Sequence, residues 1–582
     1  MKIINIIATL LPPYKRWRYL LLLLIIGTFA TLTINFAPGI GRVSLDGDYY
    51  YQIARNVAEG KGFVTSVSLY NQGIKKLPHK INISPVWPLV LGYVGRIFDL
   101  RSTAAHLPEV FFILDLILLY FLTNLLVRRA GMESNRLWII NIKNIRILDI
   151  GHLAVLLFGS NRIFFEFTSM PYTEAIGFFF LFVSLILADQ TADKRSLTLA
   201  ALTGFIAAVG FLARVQLIGL LVSIPFVFGI IALRGDKKFF LLCLFTGFGS
   251  LVAMMPWIIW LHSWMDTVSL NSYLGMGTLH ETPGLKYFSH TVKHTEGISK
   301  IKTIMDGLSV AFSPDNKNSY TYSFSWALYL VPLATAEFLA HTSQWKERLS
   351  RIFSPRGLLT LVIIISTLIS LYPIHSAKRA FFKTWLFGWR HGLPMILLIT
   401  LSLSYLLTNL KNPLGRLLAV FLVISALMVS NDNIQSLLDR KFRPDPKGPE
   451  GELLAWLDKQ DPKPTVITTH AQILSVFCRS NFHWADCKLH PNHTLNLLDH
   501  ANADYVLIYQ RERNCNFVKR LIKQKKIKKV KTFNNRWRIE VWERSTPPPE
   551  AAAATTKEPV NQQLEHKIQM RTPLNAQILN GK

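Results

Sequence analysis

Eleven stretches of this chain are apolar for long enough to cross a bilayer, at about 19–36, 107–127, 147–163, 173–188, 197–212, 217–233, 239–261, 324–340, 357–373, 393–408 and 415–430. Eleven such segments cannot be covered by the polar surface of one soluble fold, so the sequence presupposes lipid as its solvent. Half of its 582 residues are hydrophobic and only 17% are charged, which excludes an ordinary soluble chain of this length. Its 37 Phe and 14 Trp exclude a disordered one. The expected class is an α-helical polytopic membrane protein of about eleven transmembrane helices.

Charge distribution sets the orientation. The net charge of +28 is no stripe on a soluble domain, so nucleic acid is not an expected partner. With a cytoplasmic N-terminus, alternate short loops carry Arg128, Arg129, Arg136, Lys143 and Arg146, then Lys194 and Arg195, then Arg234, Lys237 and Lys238, and later Lys346, Arg348, Arg351, Arg356, Lys411 and Arg416. The short loops of the other side hold Arg162, Arg214 and a cluster at 378–390. That asymmetry is the positive-inside bias. The first span follows Lys15, Arg16 and Arg18 and lacks a small-residue cleavage site, so it reads as a retained anchor. Residues 197–233 as one helix would rise roughly 55 Å, too long for one crossing, so a break is expected at Ala213–Gln216.

Three large segments then face outward: 37–106, 262–323 and everything after about 431. The expected organisation is a transmembrane unit over 1–431, an extracytoplasmic α/β domain over 432–545 and a disordered tail over 546–582. Strands are expected at "TVITT", "DYVLIY" and "WRIEVWE", with a helix around 511–524. The stretch "KRLIKQKKIKKVK" reads as a solvated basic face or a contact for membrane surface or acidic glycan. Over 432–582, 25 Lys and Arg oppose 16 Asp and Glu, a net of +9 that suits anionic headgroups. Cys478 and Cys487 are positioned to pair in an oxidising compartment, and Asn82 and Asn492 lie in N-x-S/T sequons.

Chemistry concentrates just after the first span, in "SLDGDYYYQIARNVAEGKGF". Tyr50, Ile53, Ala54, Val57 and Ala58 share one helical face, which predicts an interfacial helix ended by Gly60 and Gly62. Asp46 and Asp48 fall at its N-terminus, where the helix dipole favours the ionised carboxylate. Capping alone would account for Asp48. The pair can also ligate a divalent cation, but two ligands name no metal, and no cofactor is otherwise implied. In the loop 262–323, His290 and His294 are four apart beside His280, Glu281 and Glu296, a spacing that suits either a metal pair or a solvated loop.

These motifs resemble the polytopic GT-C glycosyltransferases, which take a sugar from a polyprenyl-phosphate carrier and include protein O-mannosyltransferases and lipid A aminoarabinose transferases. "DGDYYYQIARN" is similar to the family's acidic-Tyr motif, with Asp46 in the acidic place, and "SPVWPLVLGYVGRIFDL" to the Pro-rich stretch that opens a second interfacial helix. Pro85, Trp87 and Pro88 match it, whereas Asp99 stands where the family usually has Gly. "SMPYTEAIGFFF" implies Glu174 as the outer-loop acid. "FLARVQ" implies Arg214, with Val215 in place of the family's Pro. "AKRAFFKTWLFGWRHGLP" resembles the basic outer segment, placing Lys378, Arg379, Lys383, Arg390 and His391 on the side where topology disfavours cations.

The resemblance implies an enzyme acting at the outer face of a bacterial inner membrane, with its C-terminal domain periplasmic. The implied donor is a polyprenyl-phosphate-linked sugar, and the acceptor a hydroxyl of glycan, lipid or protein. Asp46, with Asp48 beside it, would be the catalytic base. Glu174, Arg214, Lys378, Arg379, Arg390 and His391 would bind substrate and phosphate. The competing classes are a transporter or flippase, which would show repeated halves or midplane charge, and a ligase of lipid-linked glycans, which gives no reason for the "DGDYYY" helix.

Overall fold

The computed structural model describes residues 13–36, 45–68, 77–129, 138–142, 145–160, 171–265, 357–376, 397–398, 400–402, 404, 449–469, 471–484, 498, 502–509, 516–533 and 538–545. Helix α1 (Pro13–Phe36) leads to α2 (Leu45–Ala58), the short strands β1 (Val64–Thr65), β2 (Val67–Ser68) and β3 (His79–Lys80), α3 (Val86–Ile97) and α4 (Leu100–Arg129). A hairpin of β4 (Trp138–Ile142) and β5 (Ile145–Asp149) precedes α5 (Ile150–Gly159), followed by α6 (Glu174–Lys194), α7 (Leu197–Ala213), α8 (Ile218–Leu233), α9 (Lys238–His262) and α10 (Leu358–Ser376).

Among the described residues four helical segments are long and apolar enough to cross a membrane: Leu100–Arg129, Glu174–Lys194, Val215–Leu233 and Lys238–His262. Shorter apolar helices include Arg18–Thr33 within α1, and α5 and α7. The chain is a multi-pass membrane protein. The break expected at Ala213–Gln216 is present: α7 stops at Ala213, Arg214 is extended, and a single 3₁₀ turn at Val215–Leu217 starts α8. Within the third expected span the described helix is α5, of ten residues, and Ile145–Asp149 before it belongs to the β hairpin, while residues 161–163 lie outside the described residues. The runs at 324–340 and 415–430 lie outside the described residues.

The helices close on a core that runs from Phe29 of α1 through Phe112 and Leu116 of α4 to Phe178 and Phe182 of α6 and Phe228 of α8. Helices α7 and α9 meet almost backbone to backbone. A Cβ at Gly204 would lie 1.8 Å from the Thr246 carbonyl oxygen, so only glycine permits this approach. At the face where α1 begins, Arg18 pairs with Asp149, which also accepts from the Tyr120 hydroxyl (3.2 Å) and sits 2.7 Å from His152 Nδ1. Arg129 reaches both Asp189 (2.9 Å) and Asp193 (3.0 Å). These pairs tie α1 to the start of α5 and the end of α4 to the end of α6.

The C-terminal part contains α11 (Pro449–Asp458), β6 (Thr465–Thr468), α12 (Ala471–Phe477), β7 (Asn481–Trp484), β8 (Tyr505–Tyr509), α13 (Asn516–Lys523), β9 (Ile527–Phe533) and β10 (Ile539–Arg544). The expected strands are β6, β8 and β10, and the expected helix is represented among the described residues by α13. Two further strands were not anticipated: β7, and β9, which runs through the basic stretch with Lys528, Lys529 and Lys531 exposed. The sheet order is β2-β7-β6-β8-β10-β9. Its first strand therefore comes from the loop after α1, with Val67 opposite Phe482 and Ser68 opposite His483 in parallel register.

Cys478 is a buried free thiol rather than half of a disulfide, and its Sγ donates to Asp458 Oδ1 over 3.3 Å. Burial pushes this thiol up to about 11. Cys487 and Cys515 lie outside the described residues. The sequon residue Asn82 is fully buried, whereas Asn492 lies outside the described residues.

Candidate functional site

Helix α2 carries both sequence-marked aspartates in its first turn, and it begins at Leu45, earlier than the cap position expected for Asp48. Asp46 is exposed and Asp48 is buried at 1% exposure, so the two carboxylates differ in their access to solvent. The helix ends as expected, with Gly60 and Gly62 at φ +78° and +86°. Its last carbonyls are taken by Arg96 of α3, whose Nη2 donates to Val57 over 2.6 Å. Gly92 admits that contact, since a Cβ there would lie 2.7 Å from the Val57 side chain.

The single buried face expected of α2 is corrected to two. Tyr51 and Ala54 enter a cluster with Trp87 and Leu91 of α3, Ala104 of α4, Ile176 of α6 and Ala213 of α7. Tyr49 and Ile53, on the opposite side of the helix, enter the core of the C-terminal sheet. The helix is thus wedged between two bodies of protein. Its polar side is tied to the strands that follow: Gln52 donates to Thr65 Oγ1 (2.6 Å) and accepts from Ser66 N (2.9 Å), and Asn56 donates to the Val64 carbonyl (2.9 Å).

Two residues from Ile176 and one from Ala213 lie the other marked groups. Glu174 opens α6 and Arg214 ends α7, and their side chains pair at 3.1 Å with exposures of 1% and 3%. Arg214 Nη1 also donates to Thr173 Oγ1 over 2.6 Å. Trp87 Nε1 donates to the Pro171 carbonyl (2.7 Å), tying α3 to the approach to α6. The structure therefore brings Glu174 and Arg214 together, in the layer that also seats α2. Asp99, the departure from the family's glycine, caps α4 by accepting from Ser102 N over 2.7 Å.

Beside Arg214, Val215 packs into an aromatic group at the end of α9. Trp257 and Trp260 stack at 5.0 Å, and Phe63, from the turn after α2, stands edge-on to both at 6.2 and 5.3 Å. Aromatic side chains of this kind anchor protein at the level of lipid headgroups. Outside the spans, burial pulls Arg55 down from its ordinary range, against Glu59. Burial pushes Glu59 up, but Lys61, Arg479 and Arg55 outweigh it and hold its carboxyl below the usual range.

The basic segment with Lys378, Arg379, Arg390 and His391 lies outside the described residues, as do His280, Glu281, His290, His294 and Glu296. Among the described residues no three His, Cys, Asp or Glu side chains converge in a way that could hold a metal ion. Thr173, Gln52 and the C-terminal contact were not anticipated. The first could have been suspected from its position beside Glu174, the last from no local signal.

No protein-family model matches the chain, and no curated protein sequence does so either. Solved structures do. The apo form of ArnT from Cupriavidus metallidurans aligns with a TM-score of 0.52 and 11% identity, over 89% of this chain and 97% of that one. The apo oligosaccharyltransferase of Archaeoglobus fulgidus aligns with the same score and identity, over 84% of this chain and 69% of that one. The same archaeal enzyme tethered to an acceptor peptide gives 0.53 and 10%, over 91% and 75%. At these identities the likeness is one of fold, and it agrees with the fold expected from the motifs.

Proposed function

We propose that this chain is a lipid-linked sugar transferase that moves a sugar from a polyprenyl-phosphate carrier to an acceptor hydroxyl at the outer membrane face. The observation that carries the reading is the exposed Asp46 in the first turn of a helix held, within this fold, in the same buried layer as the Glu174–Arg214 pair. A carrier presents its phosphate at headgroup level, which suits a site at that level.

Transfer requires a group that takes the acceptor's proton while the anomeric carbon passes through an oxocarbenium-like state. Asp46 fills that role, from the first turn of α2. Buried Asp48 instead belongs to the seat of the helix. The leaving group is a phosphate, so cations that neutralise it replace a general acid. Arg214 is already engaged by Glu174, so this task falls to Arg390 with Lys378 or Arg379, and His391 joins them in binding. One base and one direct displacement give inversion at the sugar carbon.

The same reading has eleven spans, a cytoplasmic N-terminus, and residues 432–545 on the periplasmic side of a bacterial inner membrane, with 1–431 as the catalytic unit. The acceptor is a glycan, lipid or protein hydroxyl. The test is turnover of a polyprenyl-phosphate sugar by the purified, reconstituted chain. Asp46→Asn is expected to abolish transfer while expression stays normal, and unchanged turnover would remove the assignment.

A further inference from the structure

The contacts of α2 with the C-terminal part are too extensive for an appended domain. Phe482 N donates to the Ser66 carbonyl over 2.9 Å, and β2 continues the sheet beyond β7. Arg55 Nη1 donates to the Cys478 carbonyl over 3.1 Å, and Arg479 pairs with Glu59 at 3.2 Å. Tyr49, Ile53 and Val67 are buried in one core with Ala471, Leu474 and Phe482.

From these we infer that the C-terminal domain is a positioning element of the active site: its β7 edge and the end of α12 clamp residues 45–68 and so fix where the Asp46 carboxylate stands. Asp46, Tyr49 and Ile53 are spaced i, i+3 and i+7 and form one stripe of α2. The two members of that stripe nearest the helix centre are gripped by the C-terminal core, and the third is the base. A rotation of α2 that released Tyr49 and Ile53 would carry Asp46 with it. Arg55 and the Glu59–Arg479 pair act at the other end of the helix and prevent that rotation. They are positioning residues, since none of them touches substrate in this reading. The inference rests on Asp46 as the base.

The test uses the full-length reconstituted chain. Arg55→Gln, which removes the donor to Cys478, is expected to lower kcat about tenfold, as the loss of a charged hydrogen bond does, with the donor's KM unchanged. Amide exchange should rise over residues 45–58 and stay constant in α6 to α9. Glu59→Arg, which sets two arginines face to face, is expected to lower kcat about threefold, and adding Arg479→Glu should restore it.

Unchanged kcat and exchange in Arg55→Gln, or no recovery in the swapped pair, would overturn the clamp. So would a loss that follows a general fall in Tm. If Asp46→Asn abolishes turnover but Arg55→Gln leaves kcat and exchange alone, the clamp fails and the base stands. If Asp46→Asn stays active, the base fails and the exchange measurement decides the docking by itself.

Discussion

The Glu174–Arg214 pair gives the sharpest quantitative test of the site. Two unit charges 3.1 Å apart attract by about 5 kcal/mol at an effective dielectric of about 20. Both side chains are almost wholly removed from water, so each charge has forfeited several kcal/mol of solvation that the partner and the Thr173 hydroxyl must offset. The pair as a unit then contributes little net stability, whereas removing one member leaves the other charged and buried. Glu174→Gln and Arg214→Met are each expected to destabilise the protein by about 3–5 kcal/mol. The double variant should cost no more than either single one, a coupling of about 3 kcal/mol. Thermal unfolding of the four proteins in one detergent, followed by intrinsic tryptophan fluorescence, measures the cycle. Additive losses, or single losses below about 1 kcal/mol, would refute the reasoning and mean that the two groups do not depend on each other.

Asp115, in the middle of α4, is fully buried, and among the described residues neither carboxylate oxygen has a hydrogen-bond partner. Asp115→Val is expected to raise Tm by about 2 °C or more, and a fall would show that the carboxyl is doing something the packing does not reveal. His483 is buried on β7 with no partner for either ring nitrogen among the described residues, and burial pulls it from its ordinary 6.5 down to about 4. Between those values the unfolded chain binds a proton that the folded one refuses, so stability falls as pH drops through that window, by about 3 kcal/mol in total. Chemical denaturation of wild type and His483→Phe at pH 7 and pH 4.5 checks this; equal pH dependence in the two proteins would contradict it.

The membrane part was legible because length and apolarity are local properties. The interruption at Ala213–Gln216 followed from the rise of a helix alone, and the chain breaks there. The acidic marks were legible one at a time. That Glu174 and Arg214 neutralise each other was not, since the contact joins the start of one helix to the end of another. Nor was the unequal exposure of Asp46 and Asp48, which only packing decides. The basic stretch concealed β9 because lysines on an outermost strand blunt its free edge, and such charge reads as solvated surface. Strands β2 and β7 are two and four residues long. Segments that short carry almost no periodicity, and each is a strand because a neighbour pairs with it: β2 with β7, and β7 with β6.

The bond between Arg55 and the Cys478 carbonyl joins positions 423 apart in the chain. Nearly the whole polypeptide must therefore be synthesised before the segment that follows α1 acquires its final neighbours. A nascent or prematurely terminated chain can have its helices inserted and still leave α2 without the sheet that covers its second buried face.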